Sequence, residues 1–290
     1  MSILALREAV ELAPSLGAED RVATWRTEAD RIQQAMLSHP DRALVRDGRL
    51  IKRRNVTGAV ADDTAGFPGF APDVPLKTEN AHRLMPDASM ALPIALGIVP
   101  AHSELARRTL DDLEGLWNAR WSDGGHDRYH TSGQPDQPGP WPFATAFIMR
   151  AEHDSGNFDR SRRALEWLNT CQGGCAGLWF EEIPSTRALS RFSGLICWTS
   201  GEMALFVVRH YLGVSFEHGA LAIRPALYPG SPPVEADLCF RQGRLRLEVS
   251  GSGPVKSARV NGKMLKPGRD GVLRLPAHFA GGTIEMETGK

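Results

Sequence analysis

Gly139–Thr170, GPWPFATAFIMRAEHDSGNFDRSRRALEWLNT, decides the fold. Apolar residues recur at helical spacing on both sides of Ser155-Gly156-Asn157, and two such runs broken by a short turn predict an antiparallel helix pair. Gly177-Leu178-Trp179-Phe180-Glu181-Glu182-Ile183-Pro184 follows the pair, and Trp198-Thr199-Ser200-Gly201-Glu202 then opens a further apolar run, Met203 to Leu212. The two adjacent glutamates therefore lie on a connection between helices, where a rigid scaffold commonly displays reactive groups. An arbitrary Glu-Glu pair is more often a solvated turn, and it is the aromatic and glycine neighbours that set this one apart.

Working outward, residues 3 to 16 and 19 to 38 carry Leu, Val, Ala, Trp and Ile at helical spacing on either side of Ser15-Leu16-Gly17, which predicts an opening helical hairpin. His39 to Asp87 is read as irregular, with Gly66-Phe67-Pro68-Gly69-Phe70-Ala71-Pro72 at its centre. Ala88 to Leu96 and Ser103 to Asn118 read as two more helices, the second with Leu105, Leu110, Leu113, Leu116 and Trp117 on its apolar side. Trp121 to Gly139 is a long polar loop. Short and long connections thus alternate, and in an up-and-down helical array the three long ones converge on one face. That face is expected to gather Glu79, His82, Asp87, His126, Asp127, Arg128, Tyr129 and Trp141 around the glutamates.

From Gly213 the pattern changes to short alternating runs between Gly and Pro turns: residues 220–224, 237–241, 244–249, 257–260, 272–275 and 283–287. A small all-β module is expected there, with residues 225–233 connecting its first strand to the rest. The expected division is 1–213 and 214–290, within the two-domain prior that a length of 290 allows.

Composition narrows the partners. Lys plus Arg equal Asp plus Glu at 34 each, so no global field steers the chain to nucleic acid or an anionic membrane; a neutral small molecule or glycan suits the balance. No apolar run approaches the ~20 residues of a membrane span, and charges interrupt MSILALREAVELA where a leader needs its apolar stretch. A soluble, cytoplasmic chain is expected. Cys171, Cys175, Cys197 and Cys239 are too few for a disulfide scaffold and read as free thiols. No two of the candidate site histidines and carboxylates share a helix face at ligand spacing, so no metal is expected, and no other cofactor is expected.

Gly139–Ala146, Gly177–Glu182, Cys197–Glu202 and Asp87-Ala88-Ser89 together resemble the six-hairpin, (α/α)6-barrel glycoside hydrolases, most nearly the glucoamylase-like family and more distantly the disaccharide phosphorylases. The resemblance covers roughly residues 1 to 213. It implies a mainly α fold, a partial (α/α)6 toroid of helical hairpins followed by a small C-terminal β-sandwich. It also implies an inverting hydrolase with an oligosaccharide or glycoside substrate, in which Glu181, or less directly Glu182, is the general base. Such an enzyme needs a second carboxyl group roughly 6.5–9.5 Å away. About seven helical runs are legible here against the family's full set of hairpins, and the family's acid precedes the helix that Ser2 to Ala13 resembles. The expectation is an incomplete or degenerate member, with Asp87 the substitute within the chain. Trp141, Trp179 and Trp198 are candidate stacking platforms for a sugar ring, while Trp25, Trp117 and Trp167 read as core. His126, Asp127, Arg128, His130 and Glu79 are candidates for binding hydroxyls. A phosphorylase would replace the base with phosphate-binding groups, a non-catalytic carbohydrate-binding remnant would need no acid, and an isomerase or lyase would use His82, His126, Tyr129 or His130.

Overall fold

A computed structural model describes residues 2–52, 86–118, 123–128, 139–183, 194–217, 219–276 and 278–289. Contacts between Cα atoms divide it into two units: Met1–Ala13 with Gly17–Met203, and Pro14–Leu16 with Ala204–Lys290. The first is helical and the second is built of sheet.

The opening hairpin forms as expected, α1 (Ser2–Leu16) and α2 (Val22–Ser38), with a 3-10 turn at Glu19–Arg21 between them. The stretch after it is not wholly irregular. Asp47 and Gly48 take φ of 53° and 72° and close a two-residue hairpin between β1 (Val45–Arg46) and β2 (Arg49–Leu50), the positive-φ pair that Asp-Gly is suited to supply. This hairpin buries Leu50, whose amide donates to Thr109 Oγ1 at 3.0 Å. The run from Ala88 is a 3-10 segment, Ala88–Ala91, continuing into α3 (Leu92–Ala95).

α4 (Glu104–Leu113) starts at Ser103, whose hydroxyl accepts from Ala106 N at 3.2 Å, a cap that satisfies one orphan donor of the first turn. It buries Ala106, Thr109, Leu110 and Leu113 and leaves Glu104, Arg107, Arg108 and Asp111 to pair on the solvent side. The deciding pair is α5 (Pro142–Asp154) and α6 (Phe158–Thr170), turning at 155–157. Packed against α3, α4 and α6, α5 is buried along nearly its whole length, including Arg150, Glu152 and His153. A helix that is enclosed on every side loses the one-faced pattern of a surface helix, and α5 has lost it. α7 (Cys197–Leu205) continues as a π-helical turn, Phe206–Tyr211. Among the described residues no helix is long and apolar enough to cross a membrane.

The sheet unit has ten-residue-scale hairpins around one core. β3 (Val214–Glu217), β4 (Ala220–Ile223) and β9 (Leu273–Arg274) form one sheet. The other contains β5 (Val234–Phe240), β6 (Gly243–Ser250), β7 (Val255–Val260), β8 (Lys263–Leu265) and β10 (Gly282–Thr288), in the order β5-β6-β10-β7-β8. β10 runs parallel to β6, with Ile284 opposite Leu247, and antiparallel to β7. Leu221 and Ile223 from the first sheet share a core with Leu245, Leu247, Val249, Ile284 and Met286 from the second. β3 and β8 were not foreseen; β8 follows an Asn261-Gly262 turn with φ of 49° and 77°.

Arg150 Nε lies 2.9 Å from Glu202 Oε1 with side chains 3% and 11% exposed, joining α5 to α7. Removing one side of a buried pair is costly, so Glu202→Ala is expected to cost about 3 kcal/mol in a denaturant titration. The double variant Arg150→Met/Glu202→Leu is expected to recover most of that loss. A cost from Glu202→Ala within experimental error of zero would show that the pair carries no structural weight.

Candidate active site

The ends of the three long connections are tied together by backbone hydrogen bonds. Trp117 pairs with His126, and Asp127 with Pro140, as antiparallel bridges. Asn118 N donates to Gly125 O at 2.8 Å and Asp127 N to Leu116 O at 2.8 Å; Trp141 N donates to His126 O at 2.9 Å. The next segment joins through Ile183 N on Pro140 O at 3.0 Å, and Ala88 N binds Arg128 O at 2.9 Å. On its far side the carboxylate stretch meets the approach to α7: Phe180 pairs with Leu195, and Glu181 N donates to Gly194 O at 3.1 Å. Asp87, 125–128, 139–141 and 179–183 thus form one patch, the convergence that the alternation of connections implies.

Glycine makes two of these approaches possible. A Cβ on Gly139 would stand 2.2 Å from Ile183 O and 3.4 Å from Glu182 Oε1. One on Gly125, at φ 80°, would stand 2.5 Å from Trp167 Cζ2. Both distances are inside any carbon's contact radius, so the polar loop is pressed onto the helices through positions that no other residue fits.

The candidate residues differ in setting. Glu181 is partly exposed, whereas Glu182 is buried to 1%. Asp87 is buried at 4%; its Oδ1 accepts from Ser89 N at 2.8 Å and caps the Ala88–Ala91 turn, while its Oδ2 lies 3.1 Å from Lys52 Nζ. Both oxygens are therefore engaged. Lys52 was not foreseen; the β1–β2 hairpin brings it there, and Asp47-Gly48 was the sequence signal for that turn.

Trp141 is 7% exposed, with the exposed Arg128 stacked over its ring at 4.9 Å. Its indole N–H is buried with no hydrogen-bond partner among the described residues, a state that costs about 1–3 kcal/mol when left unmet. Trp179 is also buried, but its Nε1 donates to Leu168 O at 2.8 Å and so closes the end of α6. Trp198 is 52% exposed, meeting Phe143 edge-on at 5.7 Å. His126 and Asp127, candidates for binding hydroxyls on a polar loop, are buried at 1% and 4% exposure. Asp127 Oδ1 accepts from Asn118 Nδ2 at 2.9 Å. Glu79, His82, Tyr129 and His130 lie outside the described residues.

Beside the patch is a charge cluster around the buried His126 that the sequence reading also missed, its Glu114 and Arg163 partly exposed. Glu114 Oε2 accepts from Arg163 Nη2 at 2.6 Å, and its Oε1 lies 3.7 Å from His126 Nε2. Burial pushes the Glu114 carboxyl up, but the neighbouring His126 and Arg163 outweigh it and hold the group at about 2. The four cysteines are free, and burial pushes the Cys171 thiol up to about 12, which removes it from thiolate chemistry at neutral pH.

No family model matches the chain, and no curated protein matches it. Solved structures that it is similar to include a wild-type glycosidase, at 19% identity and TM-score 0.45, and a glycosidase variant in complex with glucose, at 18% identity and TM-score 0.44. Each alignment covers 67% of this chain and 46% of the other. The chain spans about half the length of the structures it matches.

Gly139→Ala tests the packing of the patch without touching a carboxylate. Overpacking against a backbone carbonyl costs about 1–3 kcal/mol, so the variant is expected to keep its helical circular dichroism and lose several degrees of Tm. An unchanged Tm would contradict the close approach of Gly139 to Ile183.

Proposed function

We propose that residues 1–213 form an (α/α)6-barrel-like glycosidase region, that residues 214–290 form a β-sandwich module, and that the chain is an inverting O-glycoside hydrolase acting on an α-linked glucoside. Glu181 is its general base. The reading rests on one observation above others: Glu181 is partly exposed while its neighbour Glu182 is buried, on a stretch that backbone hydrogen bonds tie to Pro140 and Gly194. A base must reach water as well as substrate, and of the two glutamates Glu181 has that access.

In this reading a sugar ring sits beside Trp141, which lies buried under Arg128 and shapes the floor of the patch. Arg128, exposed above the ring, donates to hydroxyls, and Trp198 offers an open aromatic face further along. Glu181 accepts a proton from water as that water's oxygen attacks the anomeric carbon, and the glycosidic bond breaks with inversion. The leaving oxygen must take a proton from an acid across the sugar. Asp87 serves that role only by giving up Lys52 or the Ser89 amide, so its present geometry suits a cap that fixes the patch. That same engagement favours a second reading, a non-catalytic carbohydrate-binding site on the same residues.

Release of glucose from a panel of α-glucosides and trehalose separates the two. Loss of a general base typically costs 10²–10⁴-fold, so Glu181→Gln is expected to lose about that factor in kcat, with the fold intact by circular dichroism. Full activity in Glu181→Gln would refute the assignment. No hydrolysis by the unaltered chain, together with glucoside binding that Trp141→Ala abolishes, would establish the binding site in its place.

A further inference from the structure

His126 holds a position that the proposed chemistry does not use. Its side chain is buried, with its ring edge-on to Trp117 at 5.0 Å. Among the described residues neither ring nitrogen has a hydrogen-bond partner, and Glu114 Oε1, 3.7 Å away, also lacks one. Its backbone is fully committed: N donates to Thr145 Oγ1 on α5 at 2.7 Å, and O accepts from Trp141 N. The loop segment that carries it is bridged at Asp127 to Pro140, and the Pro140 carbonyl accepts from Ile183 N, one residue beyond the glutamates. The backbone route from this imidazole to Glu181 thus runs through the Asp127–Pro140 bridge and the Ile183–Pro140 hydrogen bond.

We propose that His126 is a positioning residue: its neutral imidazole, packed between Trp117 and Glu114, keys the loop segment 125–128 to the helices, and protonating it releases the carboxylate stretch 179–183. The surroundings set the sign. Glu114, just after α4, faces the ring and favours its charge; Arg160 and Arg163 on α6 oppose it. Arg160 in turn meets Asp111 on α4 at 3.0 Å and Glu152 on α5 at 3.4 Å. On the segment itself, Asp127 is held by Asn118 and Arg128 by the Trp141 ring. Burial dominates and pushes the His126 pKa down. A histidine whose folded pKa is lowered takes up its proton more readily when unfolded, so the stability it lends is lost as pH falls below about 6.5. Glu152 works in the opposite direction. Burial raises its carboxyl to about 7, so it favours the folded state on acidification and cannot mimic the His126 response.

As a statement about catalysis the proposal rests on Glu181 being the base, but its test does not. Amide hydrogen exchange, corrected for the intrinsic pH dependence, is followed at Trp141, Glu181 and Ile183 from pH 8 to pH 5. In the unaltered chain protection at these amides is expected to fall at least about tenfold at the acid end, while that of α5 and α6 holds. His126→Phe, which keeps a ring of similar size, is expected to abolish the pH response. Glu114→Gln, which keeps the imidazole and removes the charge that favours its proton, is expected to move the midpoint to lower pH, and it decides the matter if His126→Phe does not fold. A response that survives in His126→Phe, a midpoint unmoved in Glu114→Gln, or loosening spread evenly over α5 and α6 would overturn the proposal. Absence of hydrolysis by the unaltered chain sinks only the assignment of Glu181; the exchange profile stands independently of it.

Discussion

Pro140 O accepts the amide of Ile183 at 3.0 Å, and the arrangement of the patch depends on that bond. It ties the glutamate stretch to the residue that precedes the N-terminus of α5, so the most deeply buried helix of the first unit also fixes the reach of Glu181. Proline suits the position, because it has no amide of its own to satisfy and presents only its carbonyl. Gly139 beside it leaves the space for Ile183 to come close. The remaining links, from Ala88 through Arg128 to His126 and Trp141, extend the same sheet-like order across loops that have no regular strand.

Beside these loops lies a network of charged groups, of which only Glu152 is fully buried. Glu114, just after α4, Glu152 on α5 and Arg160 and Arg163 on α6 are linked by ion pairs, and Arg163 also lies 4.0 Å over the Trp117 ring. Partly exposed pairs of this kind contribute little net stability each; their place here is between the helices and the loop segment 125–128. In the second unit the sheets share an apolar core without a charged group among its described buried residues.

The helical elements were legible because their signals are local: apolar spacing on either side of Ser155-Gly156-Asn157, and the leucine-rich apolar side of the run that begins at Ser103. The convergence of connections was legible too, since it follows from alternation along the chain. What eluded the sequence depends on contacts between distant segments. His126 and Asp127 sit in a polar run, Trp121 to Gly139, whose composition reads as solvent-exposed; their burial follows from glycines that admit the segment against Trp117 and Trp167. Trp179 looked like an open platform because it neighbours the glutamates, but the free carbonyl of Leu168 at the end of α6 claims its N–H. Lys52 could not be paired with Asp87 before the Asp47-Gly48 turn was placed.

The central claim is that a sugar binds with its anomeric carbon facing Glu181. A crystal structure with a non-hydrolysable glucose-configured inhibitor tests it most directly. The account predicts a pyranose ring beside Trp141 and one water between the Glu181 carboxylate and the anomeric carbon. A sugar bound away from this patch, or turned so that its anomeric carbon faces away from Glu181, would contradict it.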